Sequence, residues 1–316
     1  MDIVALAGGI GASKLLLGLN RVMDPRELTV VVNTGDDIVM HGLSISPDLD
    51  IVTYTLAGLV NPDTGWGFRD ETFRALEQLA VYGRPQWFHL GDRDLATHIH
   101  RTAMLRAGAR LSEVANSIRE ALGVRARILP MSDQPVPTMI ETGEGRLHFQ
   151  EYLVQRRAEP TVRAISFDGI ELAHPAPGVL EGLERASSIV ICPSNPLISI
   201  GPILAVPGVR EALRTRRTHV VAVCPIVGGK SLKGPSDQML EQLGHDVSAL
   251  GVARMYQDIC GTFVIDPVDS AQSSEIESLG MEVVIHPTVM RNVEDKDLLA
   301  RRVVQFAEKQ KAGAAA

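Results

Sequence analysis

Short runs of β-branched and other apolar residues recur along this chain, each ending in a glycine-rich or polar loop that leads into a helical repeat of apolar positions. Parallel strands need crossover connections of a dozen or more residues, usually helical, so this alternation points to a parallel, doubly wound sheet. The expected strands are residues 3–7, 28–32, 188–192, 219–223, 262–265 and 282–285, and their partner helices fall at 12–22, 177–186, 209–214, 238–243 and 295–308. In such folds ligands gather outside the C-terminal ends of the strands. The unusual loops of this sequence lie there.

Residues 66–163 break the alternation. They predict helices over 70–82, 94–107 and 111–122, then short strands over 125–128, 138–141 and 147–149. We read this span as an insertion or subdomain covering the binding edge, with residues 1–65 and 164–316 forming a nucleotide-binding α/β core. The expected fold class is therefore α/β: a doubly wound, mostly parallel Rossmann-like sheet with a largely helical insertion. The 316 residues, 45% of them apolar, suffice for one large core with a subdomain. The tail, 309–316, is expected to fray.

A net charge of −7 argues against a general nucleic-acid binder, which needs a basic face. Anions must then be held locally, by glycine-rich backbone nests, helix N-termini, a few Lys and Arg, or a bound divalent cation. No apolar run approaches a membrane span, and no basic stretch with an apolar h-region precedes the first strand. Cys192, Cys224 and Cys260 form no C-x-x-C pair, so buried free thiols in a reducing, cytoplasmic setting are expected.

Five loops carry candidate chemistry. The first holds Gly8, Gly9, Gly11 and Lys14, after a strand and opening a helix, where backbone N–H groups and the helix dipole can meet a phosphate. It is neither a Walker A nor a full dinucleotide fingerprint, and glycines that only allow a tight turn are the plainer alternative. About twenty residues on, where a dinucleotide fold has its ribose carboxylate, the chain has Asn33-Thr34-Gly35-Asp36-Asp37, with the carboxylates past the strand end. Asp48 and Asp50 follow in a second acidic loop. Such a group of carboxylates repels itself unless protons or a cation compensate, and hard oxygen ligands suit Mg2+ bridging phosphate oxygens. Helix capping by Asp48, with Asp36 and Asp37 as solvated turn residues, is the alternative.

In the third loop, Leu90-Gly91-Asp92-Arg93-Asp94, Asp92 or Asp94 can cap the next helix, while Arg93 in its first turn opposes the helix dipole and would be explained by an anionic ligand. His98 and His100 are two apart and make a poor metal pair. In the fourth, Ser194 and Asn195 between Pro193 and Pro196 offer a hydroxyl and an amide to a nucleotide, with Ser199 and Gly201 just beyond. Gly228 and Lys230 belong to the fifth, 225–235, which again follows a strand; a mobile surface loop is its alternative reading.

Together these strings resemble the 2-phospho-L-lactate transferase family of coenzyme F-420 biosynthesis over nearly the whole chain. The matching segments are 8–14, 32–37, 46–50, 91–94, 194–196, 199–203 and 225–228, in the family's order. The resemblance implies that the terminal ribityl hydroxyl of the deazaflavin Fo attacks a guanosine-linked diphosphate donor. GMP leaves, and a phosphodiester to lactate or its enolpyruvyl equivalent forms.

The resemblance also implies Mg2+ on Asp36, Asp37, Asp48 or Asp50, catalytic roles for Asp37, Asp48, Asp50 and Arg93, and an Fo pocket at Asp50, Leu90 and Arg93. It implies nucleotide or phosphate contacts at Gly8, Gly9, Gly11, Lys14, Asn33, Ser194, Asn195, Ser199, Gly201, Gly228 and Lys230. A homodimer is the expected assembly.

Two departures are visible. Ile10 and Ala12-Ser13 stand where archaeal members often have Thr-Gly-Thr-Pro, and segments 66–72 and 227–234 resemble bacterial members, which often use the phosphoenolpyruvyl donor. The rival readings are a nucleotide-sugar-binding regulatory protein of the related gluconeogenesis-factor type and a nicotinamide dehydrogenase. Against the first, Asp36-Asp37 leads into Ile38-Val39-Met40-His41 instead of a Gly-Gly-Ser-Ser string; against the second, the ribose carboxylate is missing.

Overall fold

The computed structural model describes residues 2–314. In chain order the strands are β1 Ile3–Ala7, β2 Leu28–Val32, β3 Ile38–Met40, β4 Leu43–Ile45, β5 Arg127–Pro130, β6 Thr138–Thr142, β7 Gly145–His148, β8 Val162–Phe167, β9 Ser188–Ile191, β10 Val220–Val223, β11 Ile226–Val227, β12 Lys230–Ser231, β13 Thr262–Ile265 and β14 Glu282–Ile285. The helices are α1 Gly9–Val22, α2 Pro47–Leu56, α3 Arg74–Val81, α4 Asp92–Arg106, α5 Leu111–Ala121, α6 Val179–Arg185, α7 Ile200–Ala205, α8 Val209–Thr215, α9 Ser236–Gln242, α10 Ala249–Met255, α11 Ser273–Ser278 and α12 Val293–Ala314.

Seven strands form an all-parallel central sheet in the order β14-β13-β10-β9-β1-β2-β5. Successive side chains leave a strand on opposite faces, and both faces are apolar here. Ile3, Ala5 and Ala7 of β1 pack with α1, α2 and α12, while Val4 and Leu6 pack with α6, α7 and α8 on the other side. That two-sided burial makes the fold doubly wound, as the alternation of runs predicts.

One strand belongs elsewhere than expected. The run at 125–128, read as part of the insertion, is β5, which pairs in parallel with β2 and forms one edge of the central sheet. Pro130 at its end fits an edge position, because proline donates nothing to a ladder. The additional elements therefore come in two blocks. The β3–β4 hairpin with α3 and α4 lies between β2 and β5, and an antiparallel sheet in the order β7-β6-β8 follows β5.

Several short elements were not expected: the β3–β4 and β11–β12 hairpins, α7, α10, and a π-helical turn at Glu151–Gln155. Helix α12 runs on to Ala314 through most of the tail expected to fray, and residues 315–316 of that tail lie outside the described residues. All three cysteines are free and buried. Among the described residues no helix is long and apolar enough to cross a membrane.

Helices α1 and α12 cross so closely at Gly18 that a Cβ there would sit 2.3 Å from the Lys296 carbonyl oxygen and 3.0 Å from the Ala300 Cβ. Gly18→Ala gains helix propensity but forces two core helices apart, so the clash decides the sign. We expect a net destabilisation of about 1–3 kcal/mol, read as a lower urea midpoint with an unchanged slope; a midpoint at or above wild type would show that the α1–α12 contact is loose.

Candidate active site

In the central sheet the strand order reverses between β1 and β9, which is where an open α/β sheet leaves a crevice. The loops leaving these two strands meet there, and their closeness explains the glycines. A Cβ on Gly8 would lie 2.8 Å from Asp48 Oδ2 and from Ser199 Cβ, and one on Gly11 would lie 2.3 Å from the Pro193 carbonyl oxygen. The Ser194 hydroxyl donates to the Gly8 carbonyl at 2.8 Å and clamps the two loops together. Above them opens a cleft of about 820 Å3.

An amide at the end of β2 organises the acidic loops. Asn33 Nδ2 donates to Asp36 Oδ1 and to Asp48 Oδ2, each at 2.9 Å, and lies 3.3 Å from the Ile198 carbonyl. Its own Oδ1 accepts from the Gly35 N–H at 2.8 Å. Asp48, in the first turn of α2, also accepts the Gly9 N–H at 2.7 Å. A carboxylate therefore already sits at the first amide of α1.

Burial raises the Asp36 carboxyl well above the usual range, and the neighbouring Asp48 charge adds to it. Burial also lifts Asp48, to about 6, against the hydrogen bonds from Asn33 and Gly9. Asp37 is likewise raised by burial; its Oδ2 accepts from Ser46, while its Oδ1 is buried and unpartnered.

Among the described residues no three His, Cys, Asp or Glu side chains are grouped to hold a metal. Mg2+ in phosphoryl-transfer sites needs fewer, since one or two carboxylates suffice when phosphates supply the remaining oxygens. Asp36 and Asp48 meet that requirement: they line the cleft, share one donor and bond only to neutral amides. Their disfavoured ionisation is what a cation would relieve.

Asp50, one turn into α2, meets a different partner. Both of its oxygens are bonded by the guanidinium of Arg101 from α4, which is 1% exposed. His98 Nδ1 lies 3.0 Å from Arg101 Nη1 and 3.7 Å from Asp50 Oδ2, and burial lowers its pKa to about 4. Asp94 lines the same wall; burial, then the charges of Asp50 and Glu71, raise it to about 7.

The start of α4 is held by an exchange of caps. The Glu71 carboxylate accepts from the N–H groups of Arg93 and Asp94, and Asp92 accepts from those of Arg74 and Ala75 at the start of α3. Asp92 thus caps the preceding helix, not its own. Glu71 also supplies the negative charge that an Arg in a first helical turn needs.

Much of the remaining wall is apolar and aromatic. Both tryptophans of the chain, Trp66 and Trp87, line the cleft with Tyr54, Phe88, Leu90 and Phe149. Trp87 and Phe88 meet edge to face with centroids 5.8 Å apart. At the other end, Lys14 Nζ donates to the Met290 carbonyl at 3.3 Å and Lys233 Nζ to the Thr64 carbonyl at 3.3 Å. Burial lowers the Lys14 pKa, and Lys233 and Lys296 lower it further.

Of the residues singled out from sequence, Gly8, Gly9, Gly11, Lys14, Asp36, Asp48, Asp50, Leu90, Ser194, Asn195 and Ser199 line this one cleft. Six sit outside its lining. Asn33 is wholly buried as the link between Asp36 and Asp48, and Asp37 lies behind it on Ser46. Arg93 is exposed, with its guanidinium 4.5 Å from the Phe68 ring centroid and donating to the Arg69 carbonyl. Gly201 lies inside α7, Gly228 donates its N–H to Asp269, and Lys230 is exposed on β12.

Arg101, Asp94, Gln150, Trp66, Trp87 and Lys233 were not singled out for the site. Trp66 lies in a segment that carries only the family resemblance, and Lys233 is one of the two lysines of the fifth candidate loop. Arg101 carried no local signal at all, because its partner lies 51 positions away.

The model of the family described as 2-phospho-L-lactate transferase CofD matches residues 3–296. A phosphoenolpyruvate transferase of Streptomyces griseus subsp. griseus is 46% identical over 99% of this chain and 100% of its own length. A 2-phospho-L-lactate transferase of Methanosarcina mazei is 42% identical over 96% of this chain and 99% of its own. A crystal structure of a UPF0052-family protein from Bacillus halodurans shares the fold, with a TM-score of 0.65 at 18% identity over 96% of this chain and 98% of that one. These relatives favour the transferase over the dehydrogenase and regulatory readings. With a family model matched along nearly its whole length, the protein that carries this cleft belongs to the 2-phospho-L-lactate transferase CofD family and is a transferase.

Proposed function

We propose that this chain transfers a phospholactyl or phosphoenolpyruvyl group from a guanosine-linked diphosphate donor to the ribityl hydroxyl of Fo, releasing GMP, in coenzyme F-420 biosynthesis. The observation that carries the reading is Asp48 on the Gly9 amide, beside Asp36, facing an aromatic wall across one cleft. A diphosphate alone is repelled by two carboxylates in a desolvated loop. With a divalent cation between them the same loop becomes a phosphate site, and Asp36 and Asp48 are the residues that would hold it. Mg2+ there would neutralise charge developing on the transferred phosphoryl group.

The chain's own groups divide the remaining work. The first turn of α1 turns its dipole toward the phosphates, and the Lys14 ammonium adds charge from the far side of the loop. Ser194 and Asn195 border the nucleoside. Flat aromatic faces at Trp66, Trp87 and Phe88 suit a tricyclic deazaflavin, whose burial and stacking orient the ribityl arm. Asp50 then receives the attacking hydroxyl, and holding alcohol and phosphorus in line supplies much of the rate.

Three outcomes are expected. Incubation of the protein with Fo, Mg2+ and each guanosine-linked donor yields a phosphodiester of Fo plus GMP, identified by mass, and exhaustive chelation abolishes it. Undiminished product after chelation would contradict the metal assignment.

Mg2+ with a guanosine diphosphate should also raise the melting temperature more at pH 8 than at pH 5. Metal needs the ionised carboxylate, and Asp48, at about 6, holds its proton below that pH. The metal-linked stability is therefore present above pH 6 and lost as pH falls through it; equal shifts at the two pH values would point to a site elsewhere.

Asn195→Ala should weaken GDP binding by about 1–3 kcal/mol through a lost buried partner, with Fo affinity nearly unchanged. A calorimetric titration showing the reverse would exchange the two pockets.

A further inference from the structure

We propose that Arg101 is a positioning residue, which holds the Asp50 carboxylate as a fixed acceptor for the attacking alcohol and keeps it from serving as a metal ligand. This rests on the transferase reading above, in which the acceptor meets Asp50.

Arg101 is among the largest fully buried side chains of the molecule, and a guanidinium is removed from water only where its donors are met. Its Nη1 donates to Asp50 Oδ2 at 3.1 Å, its Nη2 to Asp50 Oδ1, and Nη1 also reaches the Ser44 carbonyl at 3.4 Å. His98, one turn earlier on α4, stands against the same Nη1. The carboxylate is thus gripped in a two-point fork that fixes its plane as well as its place.

A carboxylate has about four lone-pair sites, and the fork uses two of them. Asp50 still lines the cleft, so the other two remain for a ligand. A metal ion arriving there would meet a guanidinium bonded to the same two oxygens, whereas Asp36 and Asp48 bond only to neutral amides. The cation therefore goes to Asp36 and Asp48, and the uncharged hydroxyl goes to Asp50. An O–H donating to a fixed anion is held more tightly than one donating to a neutral acceptor, which aims the oxygen lone pair at phosphorus.

The test compares wild type, Arg101→Lys, Arg101→Met and Asp50→Asn in the full-length protein. The readouts are kcat, KM for Fo, Fo affinity from deazaflavin fluorescence, GDP affinity, the Mg2+ concentration at half-maximal rate, and the melting temperature. Arg101→Lys keeps the charge and loses the fork. It should lower kcat about 10²-fold and weaken Fo binding, with GDP affinity and Mg2+ half-saturation at wild-type values, and Asp50→Asn should show the same pattern.

Arg101→Met leaves a buried carboxylate unpaired, a change that destabilises proteins strongly; if it does not fold, the lysine variant decides. A folded Arg101→Lys with wild-type kcat and Fo affinity overturns the proposal. So does Mg2+ half-saturation that drops in the Arg101 variants with Fo affinity unchanged, since that marks Asp50 as a metal ligand. A wild-type protein that neither binds nor converts Fo overturns the transferase reading and this inference with it.

Discussion

The side-chain amide of Asn33 is the interaction on which the rest of the site depends. It sits at the end of a core strand, fully buried, and its two hydrogens go to carboxylates from two different loops. A buried amide costs free energy unless its partners are met, so the arrangement fixes both acidic loops relative to β2 and, through Ile198, relative to the loop after β9. Asn33 is fully buried and is not among the residues lining the cleft. It decides where the groups that can touch a ligand must stand.

That placement leaves an electrostatic imbalance with a direction. Asp36 and Asp48 crowd the β1–β2 side of the glycine loop with negative charge, and both are pushed toward the protonated form. Lys14 and Lys233 face the same cleft without a carboxylate partner among the described residues, held only by backbone carbonyls. One side of the cleft asks for a cation and the other for an anion, a pattern matched by a metal-bound diphosphate lying across the loop.

Much of the fold was legible because it follows from short-range periodicity. Buried parallel strands read as apolar runs and amphipathic helices as repeats, so six of the seven central strands and the glycine loop at the switch point were placed from sequence. β5 was misassigned because Arg127-Ile128-Leu129-Pro130 carries no local mark telling an edge strand of one sheet from a strand of another. Partnership across long separation was illegible for the same reason. The cleft loops could be named, but nothing near Arg101 announces Asp50, and Arg93, with its conspicuous neighbours, turned out to stack on Phe68.

The block between β2 and β5 is held together differently from the core it covers. Its apolar cluster is small, built on Met40, Ile45 and Leu90 with Trp87, Phe88 and Leu95 packed around it. Polar contacts carry much of the rest: the exchanged caps of Glu71 and Asp92, and the fork between Asp50 and Arg101. Buried ion pairs are often no more stabilising than apolar residues of the same volume, because desolvation offsets most of their attraction. A chain optimised for stability alone has little reason to place Arg101 there. Its position makes sense when α4 is read as the element that grips Asp50 from behind the cleft wall, with Glu71 holding the start of that helix in place.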